Sequence, residues 1–156
     1  MKVGQIMSQP VVTTSPTTLV NDVWKLIFKT HIHGLPIVDN HQKLIGIVSE
    51  EDLLRKLYPN YAEIIPDFSA GEDFEGEMGE KLEKLKKMTV EKVMNKQVVS
   101  TSPDSNVMRA LSRMIIRKVR QLPVLSAHGK IIGMISKGDI FDGLFKKRVK
   151  RLLLKK

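Results

Sequence analysis

Residues 34–57 read GLPIVDNHQKLIGIVSEEDLLRKL, and residues 121–144 read QLPVLSAHGKIIGMISKGDIFDGL. A constant offset of 87 residues (121 − 34 = 87) aligns the two stretches without a gap. The same offset continues upstream, and 17 of the 55 pairs between residues 3–57 and 90–144 are identical. Prolines and glycines fall in register, so turns repeat together with apolar positions. The chain therefore contains two copies of one structural unit.

Each copy predicts the same order of elements: helix, short strand, helix, strand, strand, helix. The two aliphatic runs at residues 35–38 and 44–48 flank a polar stretch, which is typical of a hairpin. Proline is tolerated in the first turn of a helix, so the Ser15-Pro16 pair indicates a helix start. The remaining predictions for the first copy are a helical turn at residues 3–7, a strand at 11–12, a helix end at Gly34 and a final helix from Ser49 to Leu57.

The length of 156 residues fits one domain or two small fused halves. One copy alone buries too little surface to be stable, so we expect the two copies to share a core through their sheets. The predicted organisation is a first motif at 1–57, an acidic linker at 58–88, a second motif at 89–145 and a basic C-terminal tail at 146–156. Within the linker, residues 80–88 indicate a helix.

The net charge of +9 is unevenly distributed. Residues 1–57 carry a balance of +1, residues 58–88 of −4 and residues 89–156 of +12. This asymmetry indicates an anionic partner for the second half. The chain has no cysteine, which excludes disulfides, thiolate metal sites and cysteine nucleophiles. No apolar run reaches the roughly 20 residues of a membrane span, and no secretory signal is evident, so we expect a soluble cytoplasmic protein.

The sharpest local pattern is Ser-x-x-Asp, at Ser49 to Asp52 and again at Ser136 to Asp139. One interpretation is structural, because a serine at a helix start with an acidic third position is an N-cap. The other is functional, because free N–H groups at a helix start suit an anionic or polyhydroxy ligand. An aspartate there can accept hydrogen bonds from the two hydroxyls of a ribose. A duplicated cap and a duplicated site would look alike in sequence.

Taken together, these motifs resemble those of a tandem pair of CBS domains, the modules named after cystathionine β-synthase. The matching stretches are residues 7–16, 33–39 and 46–52 in the first copy and 94–103, 120–125 and 133–139 in the second. The resemblance covers nearly the whole chain outside the acidic linker and the basic tail. It implies an α/β fold in which two motifs, related by a pseudo-twofold axis, pack through their small sheets and leave two clefts.

The resemblance also implies a non-catalytic regulatory module, active in energy sensing, that requires no cofactor and binds AMP, ADP, ATP or S-adenosylmethionine. A homodimer and an unknown regulated protein are the implied partners. By the same resemblance, the aspartates of the two Ser-x-x-Asp motifs hold ribose hydroxyls, with the serines beside them. The other implied ligand residues are Thr13, Thr14, Ser100 and Thr101 around adenine, His33 and Arg120 at the phosphates, and Pro36 and Pro123 of the Leu-Pro pairs.

The two clefts are not equivalent in sequence. The Arg120 guanidinium is permanently charged and binds two phosphate oxygens at once, whereas His33 is charged only when protonated. The first cleft also has Glu50 and Glu51 where the second has Lys137 and a glycine. We therefore expect the cleft with Asp139 to bind phosphate-containing ligands more tightly.

Other functions find less support in the residues. The sequence has no Gly-x-Ser-x-Gly elbow, P-loop or His-Glu-x-x-His motif, so we predict that the protein is not an enzyme. His31 and His33 are two residues apart, but they indicate polar turn residues more than a metal site. The basic tail at 146–156 either docks on the module or its dimer mate, lies on anionic lipid, or binds nucleic acid. The alternative function is a nucleic-acid or protein scaffold that acts through this tail and has vestigial clefts.

Overall fold

The structure is a computed structural model that describes residues 1–57 and 74–153. It confirms the predicted α/β class, with five helices and two small sheets among the described residues. In chain order the elements are a 3₁₀ turn at Val3–Gln5, α1 at Val20–Thr30, β1 at Gly34–Val38, β2 at Leu44–Ser49, α2 at Glu50–Leu57, α3 at Phe74–Lys86, a 3₁₀ turn at Val90–Lys92, α4 at Val107–Ile116, β3 at Gln121–Leu125, β4 at Ile131–Ser136 and α5 at Lys137–Leu153.

The predicted helix start at Ser15-Pro16 is wrong. Helix α1 begins only at Val20, because Thr14 bridges β1, the Thr18 N–H closes a turn by donating to the Ser15 carbonyl over 3.2 Å, and Leu19 is extended. The Thr14 N–H donates to the Pro36 carbonyl over 3.1 Å, and the Val38 N–H donates to the Thr14 carbonyl over 2.9 Å. The strand predicted at residues 11–12 is likewise replaced by this isolated parallel bridge between Thr14 and Ile37.

The predicted end of the same helix is also wrong. Helix α1 ends at Thr30, and His31 adopts a left-handed conformation with φ of 53°. That conformation closes the helix in the way a glycine usually does, so Gly34 is free to begin β1 instead. The predicted hairpin, by contrast, is confirmed by β1 and β2.

The second hairpin, formed by β3 and β4, positions the second Ser-x-x-Asp motif. Strands β3 and β4 are antiparallel, with Gln121 opposite Ser136 and Pro123 opposite Met134. Thr101 adds a parallel bridge to Val124 on β3. The end of β4 and the start of α5 therefore lie beside the start of β3.

The described residues form two compact units, each with an aliphatic core. One unit contains residues 13–40 and the described residues between 45 and 97, with Leu35, Ile37 and Val48 fully buried. The other contains residues 1–12, residues 41–44 and the described residues from 98 onward, with Leu122 and Ile135 fully buried. Aliphatic side chains fill both cores, as the aromatic content of 5% predicts.

The two copies exchange their first segments. Val3 belongs to the first copy but lies in the core that is built from the second, and its N–H donates to the Ser105 carbonyl over 2.9 Å. Val90 makes the reciprocal arrangement, donating to the Thr18 carbonyl over 2.8 Å. Each compact unit therefore contains chain from both copies.

Candidate functional site

The Ser-x-x-Asp motif of the first copy forms a capping box at the start of α2. The backbone N–H and the hydroxyl of Ser49 each donate to Asp52 Oδ2 over 2.8 Å. In return the Asp52 N–H donates to Ser49 Oγ over 3.2 Å. The structural interpretation of this motif is therefore confirmed.

The second copy repeats this box at the start of α5. The Ser136 N–H and hydroxyl donate to Asp139 Oδ2 over 2.7 and 2.8 Å, and the Asp139 N–H donates to Ser136 Oγ over 3.0 Å. In both boxes the cap occupies only Oδ2. Among the residues that the structure describes, none donates a hydrogen bond to Oδ1 of Asp52 or Asp139. The capping role therefore leaves an acceptor for a second partner.

Arg120 lies directly beside the second box. Its carbonyl accepts a hydrogen bond from the Lys137 N–H over 3.2 Å, and its neighbour Gln121 pairs with Ser136. The Arg120 side chain is exposed, and its guanidinium makes no hydrogen bond or ion pair within the described part of the chain. The backbone of Arg120 is therefore held at the start of α5, in the same unit as Asp139.

Thr101 supplies the clearest unpaired polar group. The residue is 5% exposed, and Thr101 Oγ1 is a buried hydroxyl without a hydrogen-bond partner among the described residues. Its backbone is fixed against β3, where its N–H donates to the Pro123 carbonyl over 2.9 Å. A buried hydroxyl without a partner loses its hydration and gains nothing in return, so it is unfavourable unless a ligand or water completes it.

The equivalent residue of the first copy is satisfied. Thr14 Oγ1 lies 2.7 Å from the hydroxyl of Thr18, which occupies the position of Ser105 in the other copy. Thr18 also pairs with Ser15 over 3.0 Å, just as Ser105 pairs with Ser102 over 2.9 Å, so the copies differ in whether this hydroxyl reaches the threonine as well. The difference between the two threonines therefore arises from their neighbours and not from the motif itself.

The first box is surrounded by a different set of charges. Glu50 and Glu51 are both exposed, and Glu51 pairs with Arg55 over 2.6 Å. His33 is exposed just before β1, in the position that Arg120 has in the second copy. The surroundings of Asp52 are therefore more acidic than those of Asp139.

The structure brings the predicted residues of each copy into one compact unit. Sequence reasoning missed Arg113 on α4, whose Nη1 donates to the Ser100 carbonyl over 2.8 Å and fixes the segment that carries Thr101. No local signal marks this residue, because its counterpart in the first copy is Leu26. The predicted residues are Ser100, Thr101, Arg120, Pro123, Ser136 and Asp139 in one unit and Thr13, Thr14, His33, Pro36, Ser49 and Asp52 in the other.

Two other kinds of feature, a metal site and a membrane-spanning helix, are absent from the described residues. Within residues 1–57 and 74–153, no group of three or more histidine, aspartate or glutamate side chains is placed to hold a metal ion. Over the same part of the chain, no helix combines the length and the apolar character needed to span a bilayer.

The chain matches a known protein family twice. The family model described as CBS domain matches residues 3–59 and residues 90–146. These two matches correspond to the two copies of the internal repeat and together cover most of the chain.

Relatives with similar sequences come from distant organisms. A CBS domain-containing protein of Dictyostelium discoideum is 32% identical over 144 residues, covering 92% of this chain and 91% of the relative. An uncharacterized protein of Methanocaldococcus jannaschii is 28% identical, with the same two coverages. The chloroplastic CBS domain-containing protein CBSX2 of Arabidopsis thaliana is 31% identical, but the match covers 61% of its length.

Two similar solved structures contain adenosine compounds. CBSX2 in complex with AMP has a TM-score of 0.73 and 25% identity, covering 94% of this chain and 98% of that chain. The CBS domain pair of protein MJ0100, in complex with 5′-methylthioadenosine and S-adenosyl-L-methionine, has a TM-score of 0.67 and 25% identity, covering 93% and 99%.

Proposed function

The chain belongs to the CBS domain family, and from that premise we propose that it is a non-catalytic regulatory module that binds an adenosine-containing ligand. AMP, ADP, ATP and S-adenosylmethionine are the candidate ligands. Similar CBS domain pairs are known in complex with AMP and with S-adenosyl-L-methionine, which supports this ligand class. The motifs proposed to form the module are residues 1–57 and 89–145, joined by 58–88 and followed by 146–156.

The observation that supports the proposal is that the second copy has polar side-chain atoms without hydrogen-bond partners among the described residues. Asp139 keeps Oδ1 as a free acceptor, and a carboxylate oxygen suits the paired hydroxyls of a ribose. Thr101 holds a buried hydroxyl that lacks a partner among the described residues, and the nitrogens of adenine are suitable hydrogen-bonding groups for it. Both residues belong to one compact unit with Arg120.

The proposed role of Arg120 is phosphate binding. Its guanidinium is permanently charged and presents several donors in a planar fork that matches phosphate oxygens. Lys137 adds a second exposed cation at the start of α5. The first copy offers His33 and two exposed glutamates instead, so we propose that the site with Asp139 is the tighter one for nucleotides.

Regulation requires that the ligand prefers one conformation of the protein, since equal affinity for two conformations shifts neither. We propose that occupancy is transmitted to another protein, and that the module acts as a homodimer in the cytoplasm. Helix α5 is a suitable transmitter because it begins at the capping box of Asp139 and continues to Leu153.

The proposal is tested by calorimetric titration of the full chain with AMP, ADP, ATP and S-adenosylmethionine, with GMP as the control. We expect at least one adenosine compound to bind and to raise the melting temperature, and GMP to bind at least about tenfold more weakly. Equal affinity for AMP and GMP would contradict recognition of adenine. The absence of binding by all four adenosine compounds would favour the scaffold function of the basic tail.

A further inference from the structure

The first two residues of helix α5 are unfavourable for a helix start. Lys137 and Gly138 lie between the serine and the aspartate of the second capping box, and both are exposed. A cation is disfavoured at this end of a helix, because the helix dipole places partial positive charge there. A glycine loses more backbone entropy on folding than any other residue. Helix α5 therefore begins with two residues that lower its stability.

The first copy has the opposite pair at the same place. Helix α2 begins with Glu50 and Glu51, which are also exposed, and carboxylates are favourable at the positive end of the helix dipole. The two capping boxes nevertheless make the same hydrogen bonds. The box therefore does not require a lysine and a glycine, since the first copy forms it with two glutamates.

The described contacts do not require this pair either. A Cβ on Gly138 would meet only Ser136 Oγ within 4 Å, at an ordinary contact distance of 3.5 Å, and the residue is not in the left-handed region. The ammonium group of Lys137 makes no hydrogen bond or ion pair within residues 1–57 and 74–153. A glycine without a steric or conformational reason is expected where a ligand approaches the backbone closely.

The backbone donors at the start of α5 leave one N–H free. The Lys137 N–H donates to the Arg120 carbonyl over 3.2 Å, and the Asp139 N–H donates to Ser136 Oγ over 3.0 Å. The N–H of Gly138, between them, has no acceptor in the described part of the chain. This free N–H and the Lys137 ammonium are therefore two donors available to an anion, beside the backbone of Arg120.

Thr101 independently indicates a ligand in the same unit. Its hydroxyl is buried and has no partner among the described residues, and the residue is 5% exposed. Thr101 is bonded to one edge of β3, and β4, which leads into α5, pairs with the other edge. The two flanking segments are thus two strand spacings apart, roughly 10 Å. One nucleotide can extend from the threonine to the start of α5.

We propose that Lys137 and Gly138 select the ligand by charge: the second copy binds an adenosine nucleotide through its phosphate and excludes S-adenosylmethionine. The Gly138 N–H and the Lys137 ammonium both donate to the phosphate, at a helix end that favours anions. S-adenosylmethionine has no phosphate and would bring a sulfonium and an ammonium group towards these cations. This inference rests on the proposed function and narrows its ligands to AMP, ADP and ATP.

The double substitution Lys137→Glu with Gly138→Glu tests the proposal, because it gives α5 the first two residues of α2. Calorimetric titration with AMP and with adenosine separates the phosphate from the nucleoside. We expect AMP affinity to fall at least about tenfold and adenosine affinity to stay within about twofold. The melting temperature of the unligated variant should rise by about 2–6 °C, because its helix start is improved.

A competition experiment tests the exclusion of S-adenosylmethionine. In the wild type, S-adenosylmethionine should displace bound AMP only at a concentration at least about tenfold above that of AMP. The matched control is Lys130→Glu with Ala127→Glu, two exposed residues in the turn between β3 and β4. It changes the charge of the same unit equally and should leave AMP affinity within about threefold. Lys137→Gln alone should weaken AMP at least about threefold without affecting adenosine, and it serves if the double variant does not fold.

The possible results distinguish this inference from the proposed function. If adenosine and AMP bind, but the double substitution and Lys137→Gln change both affinities equally or not at all, the adenosine function stands and the inference is wrong. Displacement of AMP by an equal concentration of S-adenosylmethionine, or a lower melting temperature in the double variant, would also overturn it. If adenosine, AMP and ATP all fail to bind the wild type, the proposed function is wrong and this inference fails with it.

Discussion

Two aspartates that make the same contacts differ in what surrounds them. Asp52 and Asp139 each accept two hydrogen bonds on Oδ2 from the serine three residues earlier. The second aspartate lies in a unit with Arg120 and with a buried threonine hydroxyl, neither of which has a side-chain partner within residues 1–57 and 74–153, whereas the equivalent threonine of the first copy is satisfied by Thr18. The Ser-x-x-Asp motif therefore caps the following helix in both copies, and the neighbouring residues determine which polar groups remain without a hydrogen-bond partner.

Thr101→Val tests the unpaired hydroxyl. Valine has a similar shape and removes a buried polar group that lacks a partner, so we expect the unligated protein to gain about 1 kcal/mol in its free energy of unfolding. Thr14→Val is the matched change, and it should lose about 1 kcal/mol because Thr14 is hydrogen-bonded to Thr18. Urea denaturation measures both. A loss of stability in Thr101→Val comparable to that in Thr14→Val would contradict the account of Thr101.

Arg120→Ala tests the phosphate contact. The guanidinium has no partner among the described residues, so its removal should leave the melting temperature nearly unchanged. We expect ATP or ADP affinity to fall by about tenfold or more while adenosine affinity stays within about twofold. Calorimetric titration measures both ligands, with Arg117→Ala, also exposed and in the same unit, as the control. Equal losses for adenosine and ATP would show that Arg120 does not contact phosphate.

Among the elements, each hairpin has a glycine whose missing side chain makes room for a methionine from the first segment of the other copy. A Cβ on Gly133 of β4 would lie closer than 3.0 Å to Met7 Sδ, and a Cβ on Gly46 of β2 would meet Met94 in the same way. The Ser8 N–H adds a hydrogen bond of 2.8 Å to the Met134 carbonyl. The first segment of each motif is therefore packed on the hairpin of the other copy.

Gly133→Ala tests this packing. The added methyl group must displace the Met7 side chain, so we expect a loss of roughly 1–3 kcal/mol in the free energy of unfolding. Met7→Ala in the same chain makes room for the methyl group, and the cost of the glycine change should then shrink by at least about half. Gly79→Ala is the control: a Cβ there meets nothing within 4 Å, so this change inside α3 should raise the free energy of unfolding by up to about 1 kcal/mol and not lower it. Additive effects of the two changes would place the cost elsewhere.

Sequence reasoning located most elements but misplaced the ends of α1. Its buried residues follow helical spacing, so the helix itself is predicted correctly. Its start is hidden because Ser15-Pro16 has the composition of a helix start, while Thr14 is bonded to β1 through a contact distant in sequence. Its end is hidden because His31, not a glycine, adopts the left-handed conformation. A tertiary contact therefore overrides local preference at the start of α1, and a conformation that histidine does not signal in sequence ends it.

For the whole molecule, most of what the sequence predicts about the fold comes from the internal repeat. Matching prolines and glycines indicate that two copies have one fold, and the family matches at residues 3–59 and 90–146 agree with that division. The exchange of N-terminal segments has no local signature, because Val3 and Val90 are ordinary core residues in either arrangement. The unpaired state of Thr101 among the described residues is equally hidden, since Thr18 and Ser105 both pair with the serine three residues earlier, but Thr18 also pairs with the threonine of its own copy and Ser105 does not.

The central claim is that an adenosine ligand binds at Asp139, and titration of AMP into the wild type, Asp139→Asn and Asp52→Asn tests it most directly. Asparagine keeps an acceptor for the Ser136 N–H, so both variants should remain folded, with melting temperatures close to that of the wild type. We predict that AMP affinity falls at least about tenfold in Asp139→Asn and less in Asp52→Asn, because a charged acceptor for two hydroxyls is lost at the tighter site. Unchanged AMP affinity in a folded Asp139→Asn protein would contradict the claim.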